Sequence, residues 1–251
     1  MSESPLVGFI SPPAWFDPAV AEFPRVVEEA VRTQQAPLLL PDFDYRLDSI
    51  ASVHAKLALC ARCLQAIGCN VVAQVGSPFA WAGVVSEAEA RARCAALADA
   101  TGLPTVMTSL AIVDALRAHG AQRVAVNCSY YERDWRDGFA TFLAMCGFEV
   151  MHASTLEDQG LVTPPMSMAE TGWAMKADLT CASTHTVATV APECDAIVVT
   201  GAGTRTLALL VDLEAETGRP IVAADTALYW AAARAIGLSL KPVLASLARL
   251  A

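Results

Sequence analysis

The sequence CNVVAQVGS at residues 69–77 recurs in pattern as CDAIVVTGA at residues 194–202. In both copies a continuous apolar run predicts a buried strand, and the glycine after it predicts a tight turn. A second matching segment follows each copy, TGLPTV at residues 101–106 and TGRPIV at residues 217–222. The repeat therefore predicts two similar α/β halves that face each other across a cleft, each contributing a glycine loop.

The composition is that of a well-packed globular protein. The chain has 251 residues, of which 55% are hydrophobic and 17% charged, enough for one large α/β domain or two half-size ones. A formal net charge of −9 leaves no basic stripe for nucleic acid and disfavours an anionic membrane surface. An anionic small substrate stays possible, because a local pocket of amides can bind an anion within an acidic protein.

The pattern of the N-terminus and of the cysteines predicts a cytoplasmic protein. The sequence MSESP at residues 1–5 lacks the basic start and apolar core of a signal peptide. Uninterrupted apolar runs are shorter than the 18 residues of a membrane span. Eight cysteines are too few for a disulfide scaffold of this length, so most are expected to be reduced and buried. A homo-oligomer is possible.

Strands and helices alternate along the chain. Strands are predicted at residues 7–10, 71–75, 123–127, 148–150, 196–200 and 221–222, with a weaker one at 38–40, and helices at 50–67, 87–100, 110–118, 135–145, 168–190, 204–216 and 226–236. This alternation favours mostly parallel sheets flanked by helices, and the repeat favours two lobes related by a pseudo-two-fold axis. We expect residues 1–120 with 225–251 to form one lobe and residues 121–224 the other.

Candidate binding loops follow the strands. In parallel sheets ligands bind beyond the carboxyl ends of the strands, where Gly76, Asn127 and Gly201 are predicted to lie. The sequence GAGT at residues 201–204 leaves backbone N–H groups open before a predicted helix start, where a carboxylate or a developing enolate would be held. A tight turn without a ligand explains the same glycines. The matching loop at residues 76–78 favours function, although Pro78 lacks an N–H.

Tyr130 follows the strand that ends at Asn127, where it can bind a carboxylate, donate a proton or simply pack. The sequence CARC at residues 60–63, with His54 nearby, suggests a metal site. Its helical spacing and the lack of a second ligand pair argue against one. Neither glycine loop matches a dinucleotide or phosphate signature, and Ser77 is outside a serine-hydrolase motif.

Taken together, these segments resemble the Asp/Glu/hydantoin racemase superfamily, and within it the arylmalonate decarboxylase and maleate cis-trans isomerase branch. The segments that carry the resemblance are GFISPPA at 8–14, VGS at 75–77, TGLP at 101–104, RVA at 123–125 with Tyr130, and VTGAGTRTL at 199–207. The resemblance spans nearly the whole chain, and the double proline is more typical of the decarboxylases.

The resemblance implies two α/β lobes around a buried site that uses neither a metal nor an organic cofactor. It also implies one cysteine per lobe in the racemases and isomerases, at the positions that align with Gly76 and Gly201, and only the second of these in the decarboxylase. This chain has glycine at both positions. Cys69 and Cys194 begin their strands, at the wrong end of the sheet, which leaves Cys128 beside the tyrosine loop as the candidate thiol.

The resemblance further implies a set of contacts to a substrate carboxylate. The expected binding residues are Pro12, Pro13, Gly76, Ser77, Tyr130, Gly201, Ala202 and Gly203, and the expected catalytic groups are Tyr130, Ser77, Tyr131 and Cys128, or a water. Hydrogen-bond donors of this kind stabilise an enediolate, and each typically contributes roughly 10²–10³ in rate.

Three functions follow as hypotheses. The first is a cofactor-independent decarboxylase or isomerase that acts on a small carboxylic acid through an enediolate. The second is a hydrolase or hydratase whose water occupies the space of the absent thiol, oriented by Asp225, which would alternatively cap the last helix. The third is a non-catalytic carboxylate binder. Four residues suggest an aromatic pocket, although packing in the core is the alternative interpretation for them: Trp15, Phe79, Trp81 and Tyr229.

Overall fold

A computed structural model describes residues 4–13, 15–40, 43–163 and 175–250. Within these residues the strands form two four-stranded parallel sheets. The first sheet contains β1 (Leu6–Ser11), β2 (Arg32–Pro37), β3 (Val71–Gln74) and β4 (Thr105–Met107), and the second contains β5 (Arg123–Asn127), β6 (Glu149–Ser154), β7 (Ala196–Val199) and β8 (Ile221–Ala223). We call the two halves built on these sheets the first and the second lobe.

The two sheets have the same topology. Their strand orders are β2-β1-β3-β4 and β6-β5-β7-β8, and every neighbouring pair is parallel. The chain reverses its direction of winding between β1 and β3 and again between β5 and β7, and a crevice opens at such a switch point. The predicted pair of similar α/β lobes is confirmed, and four loops at these switch points are placed to build a site.

Helices flank both sheets. They are α1 (Ala19–Glu22), α2 (Leu47–Ala51), α3 (His54–Ala66), α4 (Pro78–Trp81), α5 (Glu87–Thr101), α6 (Thr108–Ala118), α7 (Arg133–Met145), α8 (Ala177–Val190), α9 (Leu210–Thr217) and α10 (Ala224–Ala235), with 3-10 segments at Phe23–Arg25 and Pro242–Arg249. The repeated Thr-Gly pair ends α5 and α9, where Gly102 and Gly218 adopt φ values of 69° and 66°. Glycine is favoured in this left-handed conformation, which explains why the pair recurs.

Two of the predicted elements differ from those in the structure, one in position and one in continuity. The second strand is Arg32–Pro37 rather than residues 38–40. It is an edge strand whose residues are half-buried or exposed, so it lacks the apolar run by which buried strands are recognised. The helix predicted at residues 50–67 is two helices, α2 and α3, with a break at residues 52–53.

The helix predicted at residues 204–216 starts only at Leu210. The preceding residues are held as a loop, because the Asp225 carboxylate accepts hydrogen bonds from the N–H and hydroxyl of Thr206. The loop at 201–204 is therefore not a helix N-terminus, and any anion bound there relies on the loop amides themselves. Of the helix predicted at residues 168–190, the described part is Ala177–Val190, and residues 168–174 lie outside the described residues.

The two lobes pack tightly against each other. Helix α4 of the first lobe contacts α7 of the second, and Gly138 in α7 permits this approach. A Cβ atom at Gly138 would lie 2.7 Å from the Trp81 ring. None of the helices in the described part of the chain has the length and apolar character of a transmembrane segment. No group of three His, Cys, Asp or Glu side chains in the described part of the chain is arranged to hold a metal ion.

Candidate functional site

A small cavity lies where the switch-point loops of the two lobes meet. Pro12 follows β1, Ser77 follows β3, Tyr130 follows β5 and Ala202 follows β7, and all four line the cavity. The volume of this cavity is about 40 Å³. At roughly 10–15 Å³ for each water, this space holds about three waters. The two glycine loops therefore face one interlobe cavity, as the sequence repeat predicts.

The rest of the wall is aromatic or apolar. It consists of Pro13, Phe43, Tyr45, Ile50, Gly76, Pro78, Phe79, Tyr131 and Trp135. No charged side chain of the described residues lines the cavity. A bound anion would therefore depend on hydroxyl and amide hydrogen bonds rather than on an ion pair.

Three buried hydroxyls form a triangle between the lobes. The Tyr131 hydroxyl lies 2.8 Å from Ser77 Oγ and 2.9 Å from Thr200 Oγ1, and Thr200 donates to Ser77 Oγ over 3.2 Å. Ser77 and Thr200 are fully buried. We call Ser77, Tyr131 and Thr200 the hydroxyl triangle. Ser77 Oγ also accepts a hydrogen bond from Trp81 Nε1 over 3.5 Å. Hydroxyl protons rotate about the C–O bond, so those of the triangle can turn toward the oxygens of a carboxylate.

Tyr130 is held differently from Tyr131. Its hydroxyl oxygen accepts a hydrogen bond from the Gly203 N–H over 2.9 Å. Burial raises the pKa of Tyr130 well above its usual value. Burial also raises the pKa of Tyr131 to about 12, against the opposing effect of its hydrogen bonds with Ser77 and Thr200. Both phenols are therefore protonated at neutral pH.

A strained turn presents the two tyrosines. Ser129 has a φ of 53°, which costs a non-glycine residue about 1–3 kcal/mol. Its N–H donates to Asn127 Oδ1 over 2.9 Å, and its hydroxyl lies 2.6 Å from Thr204 Oγ1 in the opposite loop. These bonds fix the turn after β5 against the loop after β7, so the positions of both phenols depend on the second lobe.

Neither Gly76 nor Gly201 can be replaced by a larger residue without strain. Gly76 and Gly201 have φ values of 103° and 109°. A Cβ atom would lie 2.9 Å from the Phe79 ring at Gly76 and 2.8 Å from the Tyr130 ring at Gly201. A cysteine at either position would therefore strain the backbone and displace an aromatic ring of the site.

Some loop amides are occupied and others are open. The Gly76 N–H donates to Thr108 Oγ1 over 3.1 Å, and the Gly203 N–H donates to Tyr130. For the N–H groups of Ser77 and Ala202, the described residues provide no acceptor. A carboxylate in the cavity would thus meet hydroxyls together with these two amides.

Comparison with known proteins assigns the chain to a family. Residues 7–250 match the sequence profile of the arylmalonate decarboxylase family. The chain belongs to the arylmalonate decarboxylase family. Arylmalonate decarboxylase of Bordetella bronchiseptica is 32% identical to it over 178 residues, which are 70% of this chain and 69% of the relative.

Solved structures agree with this assignment. A crystal structure of arylmalonate decarboxylase superposes with a TM-score of 0.80 at 25% identity, covering 98% of this chain and 100% of the relative. The maleate isomerase Iso of Pseudomonas putida S16 shares the fold, with a TM-score of 0.74 at 21% identity over 98% of each chain. The family resemblance predicted from the sequence is confirmed, and the relatives are decarboxylase and isomerase enzymes.

The structure brings most of the predicted binding and catalytic residues of this family member to one place. Those that line the cavity are Pro12, Pro13, Gly76, Ser77, Tyr130, Tyr131 and Ala202. Gly201 and Gly203 lie in the same loop and act on Tyr130, Gly201 by leaving room for its ring and Gly203 by donating to its hydroxyl. Cys128 is fully buried outside the cavity wall, and burial raises the pKa of its thiol, which disfavours the thiolate.

Asp225 is an anchor rather than a free carboxylate. It accepts bonds from the N–H of Thr206 over 2.7 Å, from the hydroxyl of Thr206 over 2.6 Å and from the N–H of Thr226 over 2.9 Å. Both carboxylate oxygens are thus engaged by protein donors. The expected capping role is wrong, because the N-cap of α10 is Ala223 and Asp225 lies within the first turn. Its hydrogen bonds instead fix the loop after β7, and they disfavour a role in orienting a water.

The four suggested aromatic residues have separate places. Phe79 lies on the cavity wall. Trp81 packs against Phe139 with 6.2 Å between ring centroids. Tyr229 packs edge-on against the core ring of Phe23, and the Trp15 indole donates to an aspartate in the segment after β1. Phe79 is therefore part of the cavity wall, and Trp81 reaches the site through its indole N–H, which donates to Ser77 Oγ over 3.5 Å.

Five residues of the site are not identified from the sequence: Phe43, Tyr45, Ile50, Trp135 and Thr200. Thr200 carries a usable signal, because it is a polar residue directly after a buried strand and before the glycine turn. The aromatic wall residues carry none, because they lie in segments that reach the cavity only through tertiary packing.

Proposed function

We propose that this protein is a cofactor-independent decarboxylase of malonates that carry an aryl or another bulky apolar substituent. The observation that carries the proposal is the hydroxyl triangle at the end of an uncharged, aromatic cavity between the lobes. The aromatic wall provides apolar surface for the substituent, and the triangle provides donors for one carboxylate.

One substrate carboxylate is bound by the triangle and by the N–H groups of Ser77 and Ala202. Hydrogen bonds to an ionised carboxylate are short and roughly twice as strong as neutral ones. When the bond to the second carboxyl group breaks, its electron pair moves into the bound carboxylate and forms an enediolate. The same donors stabilise that developing charge, and loss of any one costs roughly 10²–10³ in kcat.

The second carboxylate lies against Pro12, Pro13 and Phe79. These side chains have no hydrogen-bond donor, so the charged group loses its hydration without compensation. Carbon dioxide is neutral and suffers no such cost. The difference favours breakage of the carbon–carbon bond.

Tyr130 then protonates the α-carbon. Its hydroxyl oxygen accepts from the Gly203 N–H, whereas the described residues offer its proton no acceptor. Tyr131, by contrast, is bonded within the triangle. An enediolate carbon is far more basic than a phenolate, so a phenol with a raised pKa is still a competent acid. Water then restores the phenol. Isomerisation of the two-base type is disfavoured, because no matched acid–base pair of described residues flanks the cavity.

The substrate is larger than about three waters, so the wall must move outward when it binds. Phe43 and Tyr45, whose ring centroids lie 4.7 Å apart, are half-buried and form the partly exposed section of the wall. We propose that this pair moves to admit the apolar substituent.

The test is incubation in D₂O with 2-phenylmalonate, 2-methyl-2-phenylmalonate, maleate and amino acids, followed by proton NMR and measurement of released CO₂. The proposal predicts CO₂ release from the phenylmalonates, one deuterium at the α-carbon of the product, and no reaction with maleate. Conversion of maleate to fumarate would favour the isomerase instead. Stabilisation of the protein by the phenylmalonates without turnover would indicate a carboxylate binder.

The proton donor is tested separately. Tyr130→Phe is expected to lower kcat by at least 10²-fold, the cost of losing a general acid, with a smaller change in KM. Alkylation with iodoacetamide and the substitution Cys128→Ala are expected to leave kcat within a factor of two. Loss of activity on alkylation, together with an active Tyr130→Phe, would establish a thiol mechanism and refute the assignment to Tyr130.

A further inference from the structure

The peptide bond between Ala202 and Gly203 connects the side chains of Arg205 and Tyr130. Its carbonyl oxygen accepts a hydrogen bond from Arg205 Nη1 over 3.1 Å. Its N–H donates to the Tyr130 hydroxyl over 2.9 Å. The N–H and C=O of a trans peptide point in opposite directions, so the three groups form a continuous chain from the guanidinium through the peptide to the phenol.

Arg205 is fixed by residues of the first lobe. Its Nη2 bonds to the Glu22 carboxylate and to the Tyr229 hydroxyl, and Tyr229 in turn donates to the same Glu22 oxygen over 2.8 Å. Its Nη1 lies 3.5 Å from the Asp17 carboxylate, which is fully buried. The guanidinium therefore has little freedom to turn away from the Ala202 carbonyl.

Arg205 itself does not line the cavity that holds the hydroxyl triangle. It borders a second, much smaller cavity behind the loops, which is also bounded by Gly76 and Ala202. Arg205 therefore lies on the far side of Ala202 from the main cavity, and its hydrogen-bonded path to the site runs through the loop.

We infer that Arg205 is a positioning residue that acts on Tyr130 through the Ala202–Gly203 peptide. A cation bonded to the carbonyl polarises the peptide and strengthens its N–H as a donor, because hydrogen bonds in a chain reinforce one another. The stronger N–H fixes the phenol and stabilises the phenolate that proton transfer creates. The catalytic consequence rests on the decarboxylation proposed above, whereas the effect on the phenol does not.

The effect on the phenol is measured without turnover by NMR of protein labelled with 13C at the tyrosine Cζ atoms. The chain has four tyrosines, so each resonance is assigned from one Tyr→Phe substitution. Arg205→Gln is expected to shift the Tyr130 resonance and to leave that of Tyr131 in place. Arg219→Gln is the matched control, because Arg219 also bonds to backbone carbonyls but lies away from the cavity.

An unchanged Tyr130 resonance in folded Arg205→Gln would overturn the inference, as would equal shifts for Tyr130 and Tyr131. Should Arg205→Gln fail to fold, Arg205→Lys serves for the same comparison, because it keeps the charge and loses the planar geometry. Arg205→Lys is then expected to shift the Tyr130 resonance by more than Arg219→Gln does.

The catalytic consequence is measured by a double-mutant cycle with 2-methyl-2-phenylmalonate. Arg205→Gln should lower kcat on the order of tenfold, less than the roughly 10²–10³ for outright loss of a donor, with KM little changed. In a Tyr130→Phe background the same substitution should change kcat by less than twofold. Additive losses would show a merely structural role and refute the inference. Absence of turnover in the unsubstituted protein would refute the proposed function and leave the NMR result to decide the inference.

Discussion

Gly201 offers a sharp test of the site geometry. Gly201→Ala adds one methyl group at the position where the resemblance implies a thiol in related enzymes. Its φ of 109° costs an L-residue about 1–3 kcal/mol. The new Cβ would lie 2.8 Å from Tyr130 Cε1 and 3.0 Å from Thr204 Oγ1, and relief of such overpacking costs about 1–3 kcal/mol more.

The two contributions sum to about 2–6 kcal/mol of unfolding free energy. For a chain of this size each kcal/mol lowers Tm by about 2–4 °C, so Gly201→Ala should lose at least about 4 °C. Gly218→Ala is the matched control, because Gly218 also has a positive φ, 66°, but a Cβ there meets no atom within 4 Å. The control should lose only about 1–2 kcal/mol.

The assay is urea unfolding followed by tryptophan fluorescence, with both variants repeated in a Tyr130→Ala background. Without the ring, the excess cost of Gly201→Ala over Gly218→Ala should shrink by at least half. Gly201→Cys should be at least as destabilised as Gly201→Ala and should not gain activity from its thiol. Equal costs for the two alanine variants would refute the close packing of Tyr130 on Gly201.

Three further outcomes are expected. Tyr131→Phe should lower the unfolding free energy by about 1–3 kcal/mol and reduce kcat/KM on phenylmalonate, because buried Ser77 and Thr200 lose a shared hydrogen-bond partner. An unfolding free energy within about 0.5 kcal/mol of the unsubstituted protein would contradict the hydroxyl triangle. Hydrogen bonds from Arg117 hold the pKa of Glu87 near 2, below its ordinary 4.5, so its stabilisation is complete above pH 4.5 and is lost as pH falls through 2. The Tm difference between the unsubstituted protein and Glu87→Gln should shrink over that range, and a constant difference would refute the assignment. Dialysis against EDTA should leave kcat unchanged, and activity restored only by an added metal would refute cofactor independence.

The fold was largely predictable because its signals are local. Each buried strand shows a short apolar run, and the Thr-Gly pairs mark helix ends by the conformational preference of glycine. The edge strand Arg32–Pro37 was misplaced because an exposed strand needs no apolar run. The helix expected at residues 204–216 begins at Leu210, because the Asp225 carboxylate, 19 residues further along the chain, accepts the N–H and hydroxyl hydrogen bonds of Thr206.

The candidate site, like the fold, has features that the sequence predicts and features that depend on tertiary contacts. Sequence alone determined the two-lobed α/β architecture, the family and the loops that meet at the cavity, since these depend on residues close together in the chain. Only tertiary structure decided that Tyr131, rather than Tyr130, joins Ser77 to Thr200, contacts that span 54 and 69 residues of chain. It also decided the link from Arg205 to Glu22 across 183 residues. Local periodicity carries no information about such pairs, because their contact exists only after both lobes have folded and packed together.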